Sequence, residues 1–170
     1  MKITTQKLAV SALLITANVL LTRVLAINTP IMKIGFGFAA VALCAMLYGP
    51  LWSMLVAAFG DFFGALIFPT GAYFPGFTLT AAMTGLIFGL CLYKRENTWL
   101  PPLTAAAANC VIVSFLLNTA MISLVSGAEY TVLLATRSIQ LIVMLPVQAV
   151  TLLFLTKSRF IQSQVQCRRV

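Results

Sequence analysis

Six apolar runs follow one another along the chain, at residues 8–27, 36–49, 51–68, 76–93, 101–125 and 132–155, with short polar or proline-bearing stretches between them. They are much longer than the alternating strands of roughly ten residues that build a membrane barrel. In hydrocarbon every backbone N–H and C=O must be bonded internally, so each run is predicted to be a helix. The second is short for a span and ends at Gly49 and Pro50, a pair that interrupts helix. Pro30 breaks the connection after the first run, and Pro69 and Pro75 bracket a turn-rich one after the third. Pro101 and Pro102 sit at the first turn of the fifth helix, where the ring is tolerated. Pro146 lies inside the sixth and predicts a kink.

Composition sharpens this into a class. Of 170 residues, 61% are hydrophobic and 8% charged, against about 25% charged in a soluble domain. Such a chain cannot cover its surface with polar groups, so its solvent is lipid. The expected fold class is an all-α membrane protein with six transmembrane helices, forming a single domain over residues 1–170. The basic amino terminus followed by an apolar run resembles a signal peptide. The run is long for one, and Arg23 stands where a small-residue cleavage site would fall, so an uncleaved first span is expected.

The net charge of +8 does not point to nucleic acid, because the cations lie at the ends of apolar runs rather than on a helix face. With six spans the two termini share a side. That side carries Lys2, Lys7, Lys94, Arg95, Lys157, Arg159, Arg168 and Arg169, and the other only Arg23, Lys33 and Arg137. The positive-inside rule places both termini of this multi-pass chain in the cytoplasm. The cysteines Cys44, Cys91, Cys110 and Cys167 have neither ligand nor disulfide spacing, and there is no His, so no metal site is expected.

Asp61 is one of only three acids, with Glu96 and Glu129, and lies in an otherwise apolar run. A carboxylate there costs about 3 kcal/mol unless something pairs with it. At about 1.5 Å per residue, Arg23 lies roughly 6 Å below the outer end of its helix, Asp61 roughly 12 Å, Asn118 roughly 10 Å and Arg137 roughly 8 Å, with Gln140 one turn further along the same face. Lys33, Phe36, Tyr73, Phe74 and Phe77 belong to the connections and rims above them. Each has a structural alternative: the arginines can snorkel to headgroups, Asp61 can neutralise one of them, the amides can join helices, and the aromatics can form an interfacial belt. Together, two cations, an anion, two amides and several rings at one depth suit an outward-opening pocket. Its ligand would be aromatic, anionic overall and able to donate hydrogen bonds.

Small residues recur as Ala81, Gly85 and Gly89, and Gly60 and Gly64 bracket Asp61, spacings that let helix backbones approach closely. Ala9, Ala12 and Thr16 form a strip on the first helix that faces a neighbour, in this chain or in another protein.

The chain resembles the substrate-binding S components of energy-coupling factor (ECF) vitamin importers, most of all the folate-specific ones. The resemblance is carried by residues 22–27, by Phe36-Gly-Phe38 with Tyr48-Gly-Pro50, by Gly60-Asp-Phe-Phe-Gly64, and most specifically by the block Pro69-Thr-Gly-Ala-Tyr-Phe-Pro-Gly-Phe-Thr-Leu-Thr80. It implies six helices, cytoplasmic termini and a vitamin pocket near the outer face, with residues 28–35 in the position of the family's lid. It also implies an Ala-x-x-x-Ala docking motif in the first helix, which maps onto Ala12 and Thr16, so Thr16 departs from the pattern. For folate, the carboxylate of Asp61 would take the pterin edge. Arg23, Lys33 or Arg137 would take the two tail carboxylates, and the rings would stack on Phe36, Tyr73, Phe74 or Phe77.

No phosphate-binding Gly-x-x-x-x-Gly-Lys-Ser/Thr loop occurs, so ATP would be used by partners: in the family, two ATPases and a membrane coupling protein. No cofactor is expected in this chain, and no catalytic residues, since it lacks His, a serine-based triad and paired acids. The alternatives are an S component for thiamine or riboflavin and a small transporter that works alone.

Overall fold

The computed structural model describes residues 5–24, 27–28, 33–69, 74–93, 99–127 and 129–158. Helix α1 (Thr5–Val19) passes without a break into a π-helical segment, Leu20–Val24. Further along, the chain makes a two-residue antiparallel ladder, β1 (Ile27–Asn28) with β2 (Lys33–Ile34). Nothing in the sequence pattern predicts that ladder, because two residues per strand are too few to show an alternation. It ties together the two ends of the segment that the family resemblance marks as a lid.

Helix α2 (Gly37–Tyr48) has 12 residues, about 18 Å of rise and well short of the hydrocarbon thickness. It can be short because protein surrounds it. Ala40, Val41, Ala42, Cys44, Ala45 and Met46 are all buried, and the helix touches α1 and three helices later in the chain. An apolar surface on every side is what a fully enclosed helix requires. At Gly49 the backbone adopts φ +87°, a left-handed conformation that costs glycine little. Its N–H still bonds to Ala45 C=O at 3.0 Å, while its own C=O accepts from Ser53 N–H at 3.1 Å. The chain thus turns from α2 into α3 (Pro50–Ile67) across one residue, with Pro50 at the first helical position.

Helix α4 (Pro75–Leu92) lies against α3 in the most extensive helix contact of the molecule. Next comes a continuous apolar helix built from α5 (Leu100–Ala108), a π-helical segment (Asn109–Leu117) and α6 (Asn118–Ser126). Gly127, left-handed at φ +66°, ends it. Helix α7 (Tyr130–Lys157) runs on through Pro146. Five of these helices are long and apolar enough to cross a membrane, and α2 is the sixth, shorter one. The main dry core gathers Phe38, Ala42, Ala45, Ala57, Phe88, Ala105, Ala106 and Leu152.

The α3–α4 contact depends on two glycines of the small-residue stripe. A Cβ on Gly85 would stand 2.6 Å from the Ser53 carbonyl carbon and 2.7 Å from Met54 N, and one on Gly89 would stand 2.7 Å from Pro50 N. These are backbone atoms and cannot swing aside. The same closeness lets the buried Ser53 hydroxyl donate to Gly85 C=O at 2.6 Å. Gly85→Ala is therefore expected to lower stability by about 2 kcal/mol, since it must push two packed helices apart. Thermal unfolding of the purified protein in detergent checks this, and an unchanged Tm would show that the contact is not tight.

Candidate functional site

A cavity of about 480 Å³ opens between the helices. Six helices line it. α1 and its π-helical end supply Asn18, Thr22 and Arg23, and α3 supplies Ala57, Asp61 and Ala65, spaced four apart on one stripe. α4 gives Phe77, Thr80, Ala81 and Thr84. The π-helical segment after α5 and the start of α6 give Asn109, Cys110, Val113, Ser114 and Asn118. α7 gives Arg137, Gln140, Leu141, Met144 and Gln148. Phe38 and Val41 of α2 complete the inner part.

Its charged end is organised around Asp61. Arg23 Nη2 lies 3.5 Å from Asp61 Oδ1, with the two side chains 10% and 25% exposed. Thr78 Oγ1 donates to Asp61 Oδ2 at 3.2 Å. The glycines beside Asp61 make this approach possible. A Cβ on Gly64 would lie 3.2 Å from Arg23 Nε, and one on Gly60 would collide with the amide of Asn18. So the Gly60-Asp-Phe-Phe-Gly64 motif is a notch in α3 that admits Asn18 and Arg23 of α1. Of the two candidate partners for Asp61, the structure selects Arg23. Arg137 is half-buried in the same cavity, and among the described residues no carboxylate reaches it.

The opposite end is uncharged. Asn109 Nδ2 donates to Gln148 Oε1 at 3.1 Å, and the Cys110 thiol donates to the same oxygen at 3.3 Å. Both amide residues are 3% exposed. Asn109 Oδ1 has no hydrogen-bond partner among the described residues, a state that costs about 1–3 kcal/mol for a buried acceptor. Along α7 the cavity-facing residues run from Arg137 to Gln148, eleven steps or about 16 Å of rise. The cavity therefore has a cationic end and an amide end.

Of the residues expected at the site, Arg23, Asp61, Phe77, Asn118, Arg137 and Gln140 are brought together around this cavity. Phe36 and Phe74 are not part of its wall. Phe36 precedes α2 and is 37% exposed, with its ring tilted against Phe38 at 6.3 Å, and it is Phe38 that faces the cavity. Phe74 precedes α4 and meets the edge of Phe77, again at 6.3 Å, and Phe77 is the lining ring. Beside Phe36 the lining ring is Phe38, which was not expected, and beside Phe74 it is Phe77, which was. Tyr73 and the side chain of Lys33 lie outside the described residues. Ala9, Ala12 and Thr16 are all exposed on one side of α1, with the Thr16 hydroxyl bonded back to Ala12 C=O at 3.0 Å. Among the described residues their strip faces no helix of this chain.

The sequence reading passed over Asn18, Thr22, Thr80, Thr84, Asn109 and Gln148. The signal for Asn109 and Gln148 was present, since each is an amide within an apolar run. Attention to a single outer layer set aside polar groups that lie deeper.

Comparison with known proteins places this arrangement. The family described as ECF transporter, substrate-specific component matches residues 6–157. The chain belongs to this family. As an ECF substrate-specific component it is an integral membrane protein and a substrate-binding subunit of a transporter. It is 39% identical over 141 residues to "Folate transporter FolT" of Clostridium novyi (strain NT), covering 83% of this chain and 82% of that protein. It is 31% identical over 166 residues to a protein of the same name from Leuconostoc mesenteroides, covering 94% and 89%. Among solved structures, the crystal structure of FolT bound with folic acid superposes with a TM-score of 0.84 at 32% identity, over 90% of this chain and 93% of that one.

Proposed function

We propose that this substrate-specific component captures folate from outside the cell and delivers it to an ATP-driven ECF module for import. The observation that carries the reading is the two-ended cavity, with Arg23 and Arg137 at one end and neutral amides at the other, in a chain so similar to proteins named for folate. Folate is a flat heterocycle joined through a benzoyl group to a dicarboxylate, so it too has a neutral end and an anionic one. A volume of 480 Å³ falls within the roughly 300–1,000 Å³ of small-molecule sites. Thiamine and riboflavin carry no dicarboxylate and would leave the cationic end unmatched.

The cationic end is formed where α1 and α3 finish and α7 begins, the end that the distribution of Lys and Arg places outward. Arg23 and Arg137 bind the two carboxylates of the tail, and Asp61 with Thr78 fixes the orientation of Arg23. The exposed strip Ala9, Ala12 and Thr16 on α1 supports docking on a membrane coupling protein, which with two ATPases supplies the energy. The chain itself has no phosphate-binding loop and performs no reaction.

Calorimetric titration of the purified protein with folate, thiamine and riboflavin tests the reading. One folate per chain is expected, with neither other vitamin binding comparably. Arg137→Met is expected to weaken folate by at least about tenfold, the worth of a lost charge-assisted bond. Saturable binding of riboflavin or thiamine in place of folate would overturn the specificity.

A further inference from the structure

We infer that Asn18 reads the bridge of the ligand, accepting a hydrogen bond from the secondary amine that joins the heterocycle to the benzoyl group, and so selects against folates altered at that nitrogen. This deepens the folate reading and rests on it. Asn18 is 6% exposed and lines the cavity. Its carboxamide sits in a slot between two other helices. A Cβ on Gly37, the first residue of α2, would stand 2.5 Å from Asn18 Oδ1, and one on Gly60 of α3 would collide with Asn18 Nδ2. Two bare glycines on two helices thus hold the side chain in one place. A polar residue between transmembrane helices ordinarily joins them by hydrogen bonds. Asn18 does not: among the described residues its carboxamide has no hydrogen-bond partner, and the Thr22 hydroxyl donates to its backbone carbonyl rather than to its side chain. Burying an amide without such bonds is unfavourable, so a slot built for this one has a purpose other than joining helices.

Asn18 stands one and a half turns inward of Arg23, roughly 7 Å of rise in a cavity about 16 Å long, so it faces the middle. The bridge of folate lies there whichever end of the molecule is innermost. The lone pair of the bridge nitrogen is delocalised through the phenyl ring into the benzoyl carbonyl, which makes that nitrogen a donor and not an acceptor. It needs an uncommitted acceptor opposite. The hydroxyls of Thr22, Thr80 and Thr84 also line the cavity, and each already bonds to a carbonyl of its own helix. The amide oxygen of Asn18 is uncommitted, and the slot fixes it. An acceptor held in this way discriminates strongly, because a ligand without the N–H leaves it unpaired. A ligand with a larger group at that nitrogen meets a side chain that has no room to retreat.

Equilibrium titration with three ligands tests this: folate, the analogue with a methylene group in place of the bridge N–H, and the analogue methylated on the bridge nitrogen. In wild-type protein both analogues should bind at least about tenfold more weakly than folate. In Asn18→Ala folate should weaken at least about tenfold, to the level of the methylene analogue, and the preference between these two should vanish. A folded Asn18→Ala protein that keeps either the wild-type affinity for folate or the wild-type preference over the methylene analogue would overturn the inference and leave the folate reading intact. So would equal binding of folate and the methylene analogue by wild type, a comparison that decides the matter even if the variant does not fold. A wild-type protein that binds no folate overturns both.

Discussion

Arg23→Met should destabilise the protein by about 3 kcal/mol and sharply weaken binding of its proposed ligand. Removing one member of a buried pair leaves the other charge uncompensated, which costs more than the pair contributes when whole. Here the survivor would be Asp61, held by Thr78 alone in a notch of α3 whose neighbours are mostly apolar. The reverse change, Asp61→Asn, should cost less. Arg23 stands near the end of α1 and its long side chain can extend toward the headgroup layer, an escape unavailable to a short carboxylate. The two changes should therefore not add. Arg23→Met with Asp61→Asn should be more stable than Arg23→Met alone, because no lone charge remains. Unfolding of the four proteins in one detergent measures this, and an Arg23→Met protein as stable as wild type would mean that Asp61 has another partner.

Much of this architecture could be read from the chain because lipid constrains it so tightly. A backbone that must satisfy itself leaves helices as the solution for long apolar runs, and the run that looked short is the enclosed helix α2. The Gly49–Pro50 junction was legible for a stereochemical reason, since one residue can adopt the left-handed backbone and the next opens a helix. The π-helical segments could not be foreseen. They differ from α-helix by a shift in hydrogen-bond register that no residue type signals, yet they carry Arg23 and Asn109.

The site divides in the same way. Arg23, Asp61, Asn118, Arg137 and Gln140 stood out because a polar side chain in an apolar run must be compensated. Asn109 and Gln148 carried the same mark, but an estimate of depth along each helix favoured one end of the cavity over its whole length. Phe38 and Met144 could not be told from core residues, because an apolar wall facing a cavity and one facing a neighbouring helix have the same composition. The expectation that named Phe36 and Phe74 beside Phe77, and left out Phe38, shows the limit of placing rings by proximity to a loop. The outer member of each pair caps the helix, and the other one faces inward.

All of this turns on whether the ligand occupies the space between the helices. Thr84 is suited to decide it. It lines the middle of the cavity from α4, and its hydroxyl bonds only back to Thr80 C=O at 3.2 Å, so no other helix depends on it. An indole at this position has the cavity to enter rather than a packed core to disrupt. The measurement is the folate affinity of purified Thr84→Trp beside wild type, with Tm recorded for both. The expected result is a loss of at least about a hundredfold in affinity at a Tm within a few degrees of wild type. Folate bound with wild-type affinity by that folded variant would place the ligand elsewhere on the protein and contradict the account.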